Sequence, residues 1–587
     1  MAIDYKYRLW LLKYLAGVVF PPLALTAIIL RLTEEIHLTW RPGSFLRHFL
    51  YSISIPIYGI VAGYVTSWRH SAMAKRMGAI AVPSIRGKRI CNIDLLARFS
   101  QGTKTGYVGQ ITSDLLDEAG VNTAAFSFLG TDRIITRDHH VVKFILKTGF
   151  NDFGKGKMTK LRNSLGGRAI FNVDGEAAKA ERALALPYFA KDRISDYDCI
   201  HRYTDKMINV LIGVSTRDKA VEVQDIFMRA TFDTAGAFLF GTDDLNTLDL
   251  PLPEPGEARL GPKGIAVDGA YGDYAQALDQ ELVNLRVRAT TPAIVWTARE
   301  FFSDTMASVK VPVRAYLRPL VTQALEKEKR RAGSNNGDEI SFLDHLVQST
   351  EDVPHIQSQL GGFMTASRDT TATLLSFTSY MLAMEPEVMA RLREEVVSFY
   401  GTSEMPTYDN LKRLKYLRAV LDETLRLFPP APFLTRESKN ATVIPTESES
   451  LYVPAGVQII WSLVSIHRRK DIWGEDAEEF RPERFLDPIR LKALAGDPYQ
   501  FMPFGGGPRI CLGMQFAYNE ASFMLVRLLQ TFDRFTLAQA EAAPEGSLPP
   551  AEWKDLKGRQ AKEQIHPQTA VTMYSKGGIW LRMHQAE

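Results

Sequence analysis

The chain has 587 residues, of which 45% are hydrophobic and 23% charged, and its formal net charge is +3 at pH 7. This composition is globular, is sufficient for a large core, and excludes a mainly disordered protein. So small a net charge, with no Lys/Arg stripe interleaved with aromatic residues, also argues against nucleic acid as a partner.

Two uncharged apolar runs lie near the N-terminus, from Tyr14 to Leu30 and from Phe49 to Trp68. Each approaches or reaches the roughly 20 residues that a membrane helix needs. Basic residues precede the first run and follow the second, which favours a hairpin with both ends in the cytosol. The sequence therefore predicts a membrane anchor with one or two transmembrane helices in residues 1–70, and a juxtamembrane linker in residues 71–90.

Two other interpretations of these runs stay open. The first run could be a secretory signal peptide, although Pro21 and Pro22 interrupt it and no clear cleavage site follows. The second run could lie in the membrane interface or pack on the protein body as a core helix, because its prolines and serines make it weakly apolar.

Helical periodicity dominates the rest of the chain. Helices are predicted within residues 221–240, 313–332, 371–384, 386–400 and 408–428. Short strand-like segments occupy residues 133–138 and 451–463, and residues 570–583 have a hairpin-like pattern. Two stretches rich in turn-forming residues, 250–264 and 538–564, predict a surface loop and a solvated insertion. The predicted fold class is mainly α with small β-sheets, preceded by the N-terminal membrane helices.

The segment FMPFGGGPRICLG, Phe501 to Gly513, places three glycines and a proline ahead of one of only three cysteines. The cysteines are far apart with no CxxC pair, so neither a disulfide framework nor a zinc ribbon fits. Glycines permit close backbone approach, and a helical pattern starts at Leu512. Cys511 is thus predicted at a helix N-terminus, where backbone N–H groups and Arg509 favour a thiolate able to hold a large planar metal cofactor. The alternative is a capping loop with an incidental buried cysteine.

Five residues of this segment, Phe504, Gly507, Arg509, Cys511 and Gly513, match the pattern F-x-x-G-x-R-x-C-x-G. This pattern resembles the haem-binding signature of the cytochrome P450 family, and the resemblance extends over roughly residues 90–585. It implies that Cys511 is the metal ligand, bound to the iron of haem b (iron protoporphyrin IX), and that all five residues bind the cofactor. It also implies a haem-thiolate monooxygenase fold for a catalytic domain in residues 91–587.

The resemblance predicts further motifs in a fixed order, and one of them is an ion network. Glu423 and Arg426 form an E-x-x-R pair on one helix face, and Arg484 follows in the sequence FRPERF. In the family, residues at these positions form a buried structural network near the proximal side of the haem.

The motif TASRDTTATLL, Thr365 to Leu375, resembles the family's distal-helix stretch. This resemblance implies catalytic roles for three residues: Thr370 as the hydrogen-bonding hydroxyl, Asp369 as the proton-relay acid and Thr371 as a supporting neighbour. The alternative is a polar helix turn in which threonines bond their own backbone.

The chain departs from the family pattern at two positions. Ser367 stands where the family usually has glycine; it either puts a side chain where oxygen normally finds room or adds a hydroxyl to the relay, and both outcomes affect rate and coupling. In a W-x-x-x-R pattern, Ala178 replaces tryptophan while Arg182 is retained. One propionate contact is therefore expected to be missing, and Arg182 and Arg509 are expected to hold the haem carboxylates. An ordinary solvated arginine is the alternative for Arg182. His467 is expected to be a loop residue and not an iron ligand.

The stretches HRRKDIWGEDAEEFRPERF and ASRDTT look like those of fungal membrane-bound hydroxylases of n-alkanes and fatty acids. This resemblance implies a monooxygenase that uses O2 on a lipophilic small molecule, a fatty acid, an alkane or an aromatic hydrocarbon. No nucleotide fingerprint occurs in the chain, so an NADPH-dependent flavoprotein reductase is the implied partner. The implied location is the endoplasmic reticulum membrane, with the catalytic domain facing the cytosol. Phe433 and Leu434 either line the substrate pocket or pack in the core.

Two rival functions are also compatible with a cysteine-ligated haem. One is an isomerase or dehydratase that rearranges a peroxide without O2 or reductase, against which Asp369 and Thr370 argue, because that chemistry needs no proton relay. The other is a haem-binding membrane protein with little turnover, for which Ser367 and Ala178 are the only support.

Overall fold

The structure is a computed structural model that describes residues 6–36, 42–89, 92–128, 131–156, 167–194, 197–261, 263, 266–267, 273–331 and 341–587. Cys91, at the predicted start of the catalytic domain, lies outside the described residues.

The described residues are mostly helical, as predicted, with small sheets. The helices are α1 (Lys6–Ile36), α2 (Ser44–Arg76), α3 (Ile93–Lys104), α4 (Gln110–Glu118), α5 (His139–Lys143), α6 (Gly175–Ala185), α7 (Lys191–Ile194), α8 (Asp198–Ser215), α9 (Val223–Phe240), α10 (Asp273–Thr290), α11 (Ala293–Arg299), α12 (Thr305–Arg331), α13 (Phe342–Ser349), α14 (Val353–Met384), α15 (Pro386–Tyr400), α16 (Tyr408–Leu411), α17 (Lys415–Leu427), α18 (Leu463–Ile466), α19 (Lys470–Trp473), α20 (Pro488–Gly496), α21 (Met514–Thr531) and α22 (Gln539–Ala542).

The strands are β1 (Ile80–Ala81), β2 (Thr123–Phe128), β3 (Thr131–Thr136), β4 (Phe153–Gly154), β5 (Val221–Glu222), β6 (Arg259–Leu260), β7 (Ala266–Val267), β8 (Phe433–Ser438), β9 (Thr442–Pro445), β10 (Ser450–Val453), β11 (Gln458–Ser462), β12 (Phe532–Leu537), β13 (Pro567–Ala570), β14 (Thr572–Ser575) and β15 (Trp580–Gln585). They form a five-stranded sheet in the order β2-β3-β11-β8-β4, two three-stranded sheets, β1-β10-β9 and β12-β15-β5, and two two-stranded ribbons.

Helix α14 runs through the centre of the molecule. Every side chain from Thr371 to Leu382 is buried, and a helix that is covered on all sides belongs to the core of a large domain. It begins earlier than the periodicity predicts, because Asp352 caps it and Pro354 occupies its first turn. Helices α9, α12, α17 and α21 pack around it, so one element connects the distal motif to the rest of the core.

Two sequence predictions about the C-terminal region are wrong. Residues 570–583 do not form a hairpin: β14 pairs with β13, whereas β15 pairs with β12 and β5. Gly577 and Gly578, both at positive φ, direct the chain from one sheet to the other. The insertion 538–564 is not solvated throughout, because Trp553 and Arg559 are buried and Arg559 pairs with the buried Glu563. The Pro- and Gly-rich composition indicates turns correctly but does not report burial.

The two N-terminal helices are long and apolar enough to cross a membrane. In their most apolar windows 11% of α1 and none of α2 is buried, so the alternative of a core helix for the second run is wrong. The two helices pack against one another. The N-terminal end of α1 contacts the protein body, because the Tyr7 hydroxyl donates to the Glu300 carbonyl oxygen at 2.8 Å. The C-terminal end of α2 leads into β1, which pairs with β10. The predicted linker 71–90 is therefore partly helix and partly sheet.

Candidate functional site

The cysteine loop is closed by its own backbone. The Cys511 N–H donates to the Phe504 carbonyl oxygen at 3.0 Å, and the Ile510 N–H donates to that of Gly507 at 3.1 Å. The Phe504 ring packs on Tyr518 of α21 with ring centroids 5.0 Å apart. Gly513 is the N-cap of α21, so Cys511 lies just ahead of the helix, as the sequence predicts.

Gly507 is required by its surroundings. Its φ is +63°, and a Cβ atom there would lie 1.9 Å from the carbonyl oxygen of Leu146. Leu146 belongs to a π-helical turn, Phe144–Thr148, that follows α5. The glycine thus lets this turn lie directly against the cysteine loop.

The Cys511 side chain is exposed in the structure. Burial raises the pKa of the thiol, while the Gly513 N–H and the charge of Arg182 act in the opposite direction. A thiolate at this position would be stabilised by a metal ion bound to the sulfur.

Four cationic side chains cluster beside the loop: Lys155, Arg182, Arg436 and Arg509. The Arg182 Nη1 donates to the Ile510 carbonyl oxygen at 2.8 Å, and Arg509 Nη2 lies 3.7 Å from Asp174. Burial, Arg436 and Arg509 lower the pKa of Lys155 to about 7, and burial and Arg509 lower that of Arg436 to about 10. Asp174 alone opposes them among the charged groups that act on these two side chains.

Three of these cations line a cavity of about 200 Å³, and Ala178 lines it too. These half-buried cations outnumber the carboxylates Asp174 and Glu176 at the cavity, and a ligand bearing carboxylates would supply negative charge. An exposed thiol in a glycine loop, next to an excess of half-buried cations, fits a flat metal cofactor that carries carboxylates. The residues present therefore match haem, whose propionates are carboxylates.

The ion network lies on the other side of the loop and forms as predicted. Arg426 makes two hydrogen bonds to Glu423, at 2.7 and 2.8 Å, and Arg484 Nε lies 3.4 Å from the same carboxylate. All three side chains are buried. Arg426 also donates to the His467 carbonyl oxygen at 2.9 Å, and His467 Nε2 accepts from the Met502 N–H at 3.2 Å. His467 is thus a loop residue that supports the segment before the cysteine.

Asp369 lies on α14 and is completely buried in an ion pair with Lys263. The Thr572 hydroxyl donates to the same carboxylate at 3.1 Å. Burial raises the pKa of Asp369, but Lys263 and Arg368 outweigh it and hold the pKa below its usual value. The predicted relay acid is therefore an ionised carboxylate whose Oδ2 atom is paired, whereas its buried Oδ1 atom has no hydrogen-bond partner among the described residues and lies 3.7 Å from Arg368 Nε.

The two threonines that follow have different surroundings. Thr370 is part-buried and its hydroxyl donates to the Ala366 carbonyl oxygen at 2.7 Å, which is the backbone bonding that the sequence left open. Ser367 bonds the Phe363 carbonyl oxygen in the same manner, at 2.9 Å. Thr371 is buried and bonds the side chain of Glu520 on α21. The hydrogen bond to Glu520 joins the distal helix to the helix that follows the cysteine.

Several of these residues were not found from the sequence. The local signals for Lys155 and Arg436 are weak. Lys155 lies between two glycines, and Arg436 is an arginine in a half-buried strand. Lys263, Glu520 and Thr572 reach α14 from elements more than a hundred residues away, so no spacing rule links them to Asp369 or Thr371. Phe433 and Leu434 are half-buried in β8 and pack against the core, which leaves both predicted roles open.

The helical fold, the cysteine loop and the cation cluster together fit a haem protein. The chain belongs to the cytochrome P450 family: the family model described as Cytochrome P450 matches residues 122–547. Family membership implies a haem iron cofactor.

Curated relatives agree with this assignment. The chain is 36% identical to Cytochrome P450 monooxygenase himC of Aspergillus japonicus over 423 residues, 70% of each chain. It is 34% identical to Cytochrome P450 52E1 of Candida apicola over 475 residues, 79% of this chain and 88% of the relative. It is 32% identical to Cytochrome P450 52A3-A of Candida maltosa over 444 residues, 73% of this chain and 81% of the relative.

Proposed function

We propose that the protein is a haem b monooxygenase that inserts one oxygen atom from O2 into an apolar substrate, a fatty acid, alkane or aromatic hydrocarbon. Electrons come from an NADPH-dependent flavoprotein reductase. The enzyme is anchored in the endoplasmic reticulum membrane with its catalytic domain in the cytosol. The observation that carries the proposal is the exposed Cys511 thiol in a glycine loop closed by its own backbone, next to a cavity lined by Arg182, Arg436 and Arg509.

Different residues around the loop would bind different parts of the cofactor. Cys511 would hold the iron, and Arg182, Arg436, Arg509 and Lys155 would pair with the carboxylates. A bound haem with a thiolate ligand supplies electron density that favours cleavage of the O–O bond. Phe504 and Gly513 hold the loop and the start of α21, so the sulfur keeps its position.

Proton delivery is assigned to Asp369 and Thr370, with Thr371 in support. Asp369 Oδ2 accepts from both Lys263 and Thr572, so Oδ1, which has no hydrogen-bond partner among the described residues, is the oxygen left to take up a proton. Withdrawal of Lys263 would favour that uptake by raising the pKa of the carboxyl. Thr370 can offer its hydroxyl to water when it turns away from the Ala366 carbonyl oxygen. Thr371, held by Glu520, fixes the register of this turn of α14.

The position of the body at the membrane supports an apolar substrate. Both helices of the anchor end at the catalytic domain, which keeps that domain beside the bilayer where fatty acids and hydrocarbons partition. The resemblance to fungal hydroxylases of alkanes and fatty acids points to the same class of substrate.

The test uses membranes that contain the full chain. Dithionite reduction and carbon monoxide should produce the strongly red-shifted Soret band of a thiolate ligand. Cys511→Ala should abolish this band, whereas Cys199→Ala, which changes the other cysteine among the described residues, should keep it. A wild-type band typical of imidazole or of a neutral thiol would contradict the proposed iron ligand.

Turnover is tested by adding a flavoprotein reductase, NADPH and a panel of fatty acids, alkanes and aromatic hydrocarbons. Product should require O2, NADPH and reductase together. A product formed from a peroxide without O2 or reductase would favour the isomerase or dehydratase instead. A normal thiolate band without any product across the panel would favour a haem-binding protein with little turnover.

A further inference from the structure

Asp138, His139 and His140 form a cluster at the start of α5 that the proposed function does not use. One possible metal-binding atom from each of the three lies within 4.8 Å of the others. His140 Nδ1 is 3.3 Å from Asp138 Oδ1, and the two imidazole centroids are 4.0 Å apart. Two nitrogen or oxygen ligands of a tetrahedral zinc ion are separated by about 3.3 Å when its bonds are about 2.0–2.1 Å long.

The Nε2 atom of each imidazole lies near a carboxylate other than Asp138. His139 Nε2 lies 3.4 Å from Asp497 Oδ2, and His140 Nε2 lies 3.4 Å from Glu447 Oε1. His139 is 4% exposed, and its Nδ1 is buried with no hydrogen-bond partner among the described residues. Metal-bound histidines almost always direct their other nitrogen to a carboxylate or carbonyl. The arrangement therefore has an outer layer of carboxylates and leaves the Nδ1 atoms for an ion.

We propose that Asp138, His139 and His140 bind one Zn²⁺ ion, through the Asp138 carboxylate and the two Nδ1 atoms, with water as the fourth ligand. Small side-chain rotations bring the three groups to bonding distance. Imidazole ligands select a borderline transition ion such as zinc over Mg²⁺ and Ca²⁺, which prefer oxygen. The site is separate from the haem pocket and does not depend on the proposed activity.

The local charge favours a cation. Asp138, Asp497 and Glu447 surround the two imidazoles. Lys143, 3.4 Å from Asp497 Oδ1, and Arg469, whose charge also acts on His139, offset part of their negative charge. Asp138 is already oriented, because its Oδ1 accepts the His140 N–H at 2.8 Å. The His140 side chain is part-exposed, which gives the ion a route from solvent.

The ion would fasten two segments that support the cysteine loop. Helix α5 continues into the π-helical turn whose Leu146 carbonyl oxygen lies against Gly507. Asp497 caps the short turn Pro498–Gln500, which leads directly to Phe501. Binding to the folded state alone should raise the thermal stability of the protein as the concentration of free zinc increases.

The experiment uses the purified full-length holoprotein in lipid nanodiscs, stripped with a chelator and titrated with Zn²⁺ by calorimetry. One equivalent should bind, and the melting temperature should rise with it. His140→Gln should abolish the binding. Glu447→Gln, on an exposed side chain, should weaken it by about 10-fold through loss of the outer carboxylate. Excess Ca²⁺ or Mg²⁺ should not displace the zinc.

His201→Gln is the matched control, because His201 is a part-exposed histidine whose Nε2 atom lies 3.0 Å from a carboxylate oxygen of Asp205, as the Nε2 atoms of His139 and His140 lie near carboxylates. It should leave zinc binding unchanged. No binding to the wild-type protein would overturn the proposal. Equal weakening of zinc binding by His140→Gln and His201→Gln would overturn it too, since that result would mean that zinc binds to scattered imidazoles and not to one site.

Discussion

Glu520 is a carboxylic acid that folding places out of reach of water. It is 1% exposed, it bonds Thr371 of the distal helix, and its Oε2 atom has no partner among the described residues. Burial raises the pKa of Glu520 to about 8, and the bond from Thr371 only partly opposes this. At neutral pH the group is therefore mostly neutral, so that a protonated carboxyl joins α14 to α21.

The raised pKa of Glu520 predicts how the free energy of unfolding changes with pH. The unfolded chain releases the Glu520 proton near its ordinary pKa of 4.5, whereas the folded chain keeps it up to about pH 8. Between these values the folded state binds more protons, so the free energy of unfolding falls by roughly 1.4 kcal/mol per pH unit. Glu520→Gln cannot ionise and should remove this slope. Chemical unfolding at several pH values should show wild type losing stability relative to the variant as pH rises; parallel curves would contradict the pKa.

Individual site residues differ in how far the sequence reveals them. Cys511 and Gly507 are readable because one local loop needs both. Asp369 is found by its motif, but its ionised state is set by Lys263, 106 residues earlier, and by its neighbour Arg368, with a hydrogen bond from Thr572, 203 residues later. The contributions of the two distant partners cannot be read from spacing.

At the scale of the elements, the cysteine loop has two glycines with left-handed backbone conformations. Gly505 and Gly507 both have positive φ, at +74° and +63°, yet only Gly507 has a close neighbour. Comparing these two glycines therefore separates the effect of a left-handed backbone conformation from the effect of a tertiary contact.

The pair Gly505→Ala and Gly507→Ala makes that separation. Gly505→Ala meets no atom within 4 Å and should cost only the left-handed strain of alanine, about 1–2 kcal/mol. Gly507→Ala adds a Cβ atom 1.9 Å from the Leu146 carbonyl oxygen, so the turn Phe144–Thr148 must move away. It should destabilise more and lose haem. Unfolding free energies and haem content per mole of protein measure both effects; similar losses in the two variants would show that the Leu146 contact is unimportant.

Helices and sheets were predictable to different degrees. The predicted helix 386–400 matches α15, because periodicity and the leading Pro386 are local signals. Residues 408–428 instead form α16 and α17 with a turn between them. The predicted hairpin 570–583 failed because its second strand pairs with β12 and β5, and pairing partners that lie far away in the chain leave no trace in one segment.

At the scale of the whole molecule, the anchor is joined to the body by a side chain. Tyr7 is 1% exposed, its ring lies 5.6 Å from that of Trp296 on α11, and its hydroxyl bonds the backbone of Glu300. Beneath it, the buried Arg288 pairs with Glu300 and Asp304. The sequence predicted a hairpin with both ends on one side, but apolar runs alone cannot reveal this contact.

Two substitutions test the contact. Tyr7→Phe keeps the ring and should lose only the hydroxyl bond, about 0.5–1.5 kcal/mol. Tyr7→Ala removes a buried aromatic ring and should cost about 3–5 kcal/mol. Thermal unfolding in nanodiscs gives the order of stability, and tryptophan fluorescence should shift to the red in Tyr7→Ala as water reaches Trp296. Equal behaviour of Tyr7→Ala and wild type would show that the anchor is an independent tether.

The Tyr7 contact also has a consequence for attempts to obtain this enzyme free of membranes. Cutting the chain after α2 removes more than hydrophobic mass: it takes away the ring that covers Trp296 and leaves Arg288 and its two acidic partners under an open surface. If the shortened protein precipitates, the cause would then be the loss of the Tyr7 side chain from the protein interior and not a poor choice of detergent. Solubility is better sought by replacing lipid-facing side chains of α1, such as Leu9 and Phe20, which are 53% and 69% exposed, while Tyr7 is kept.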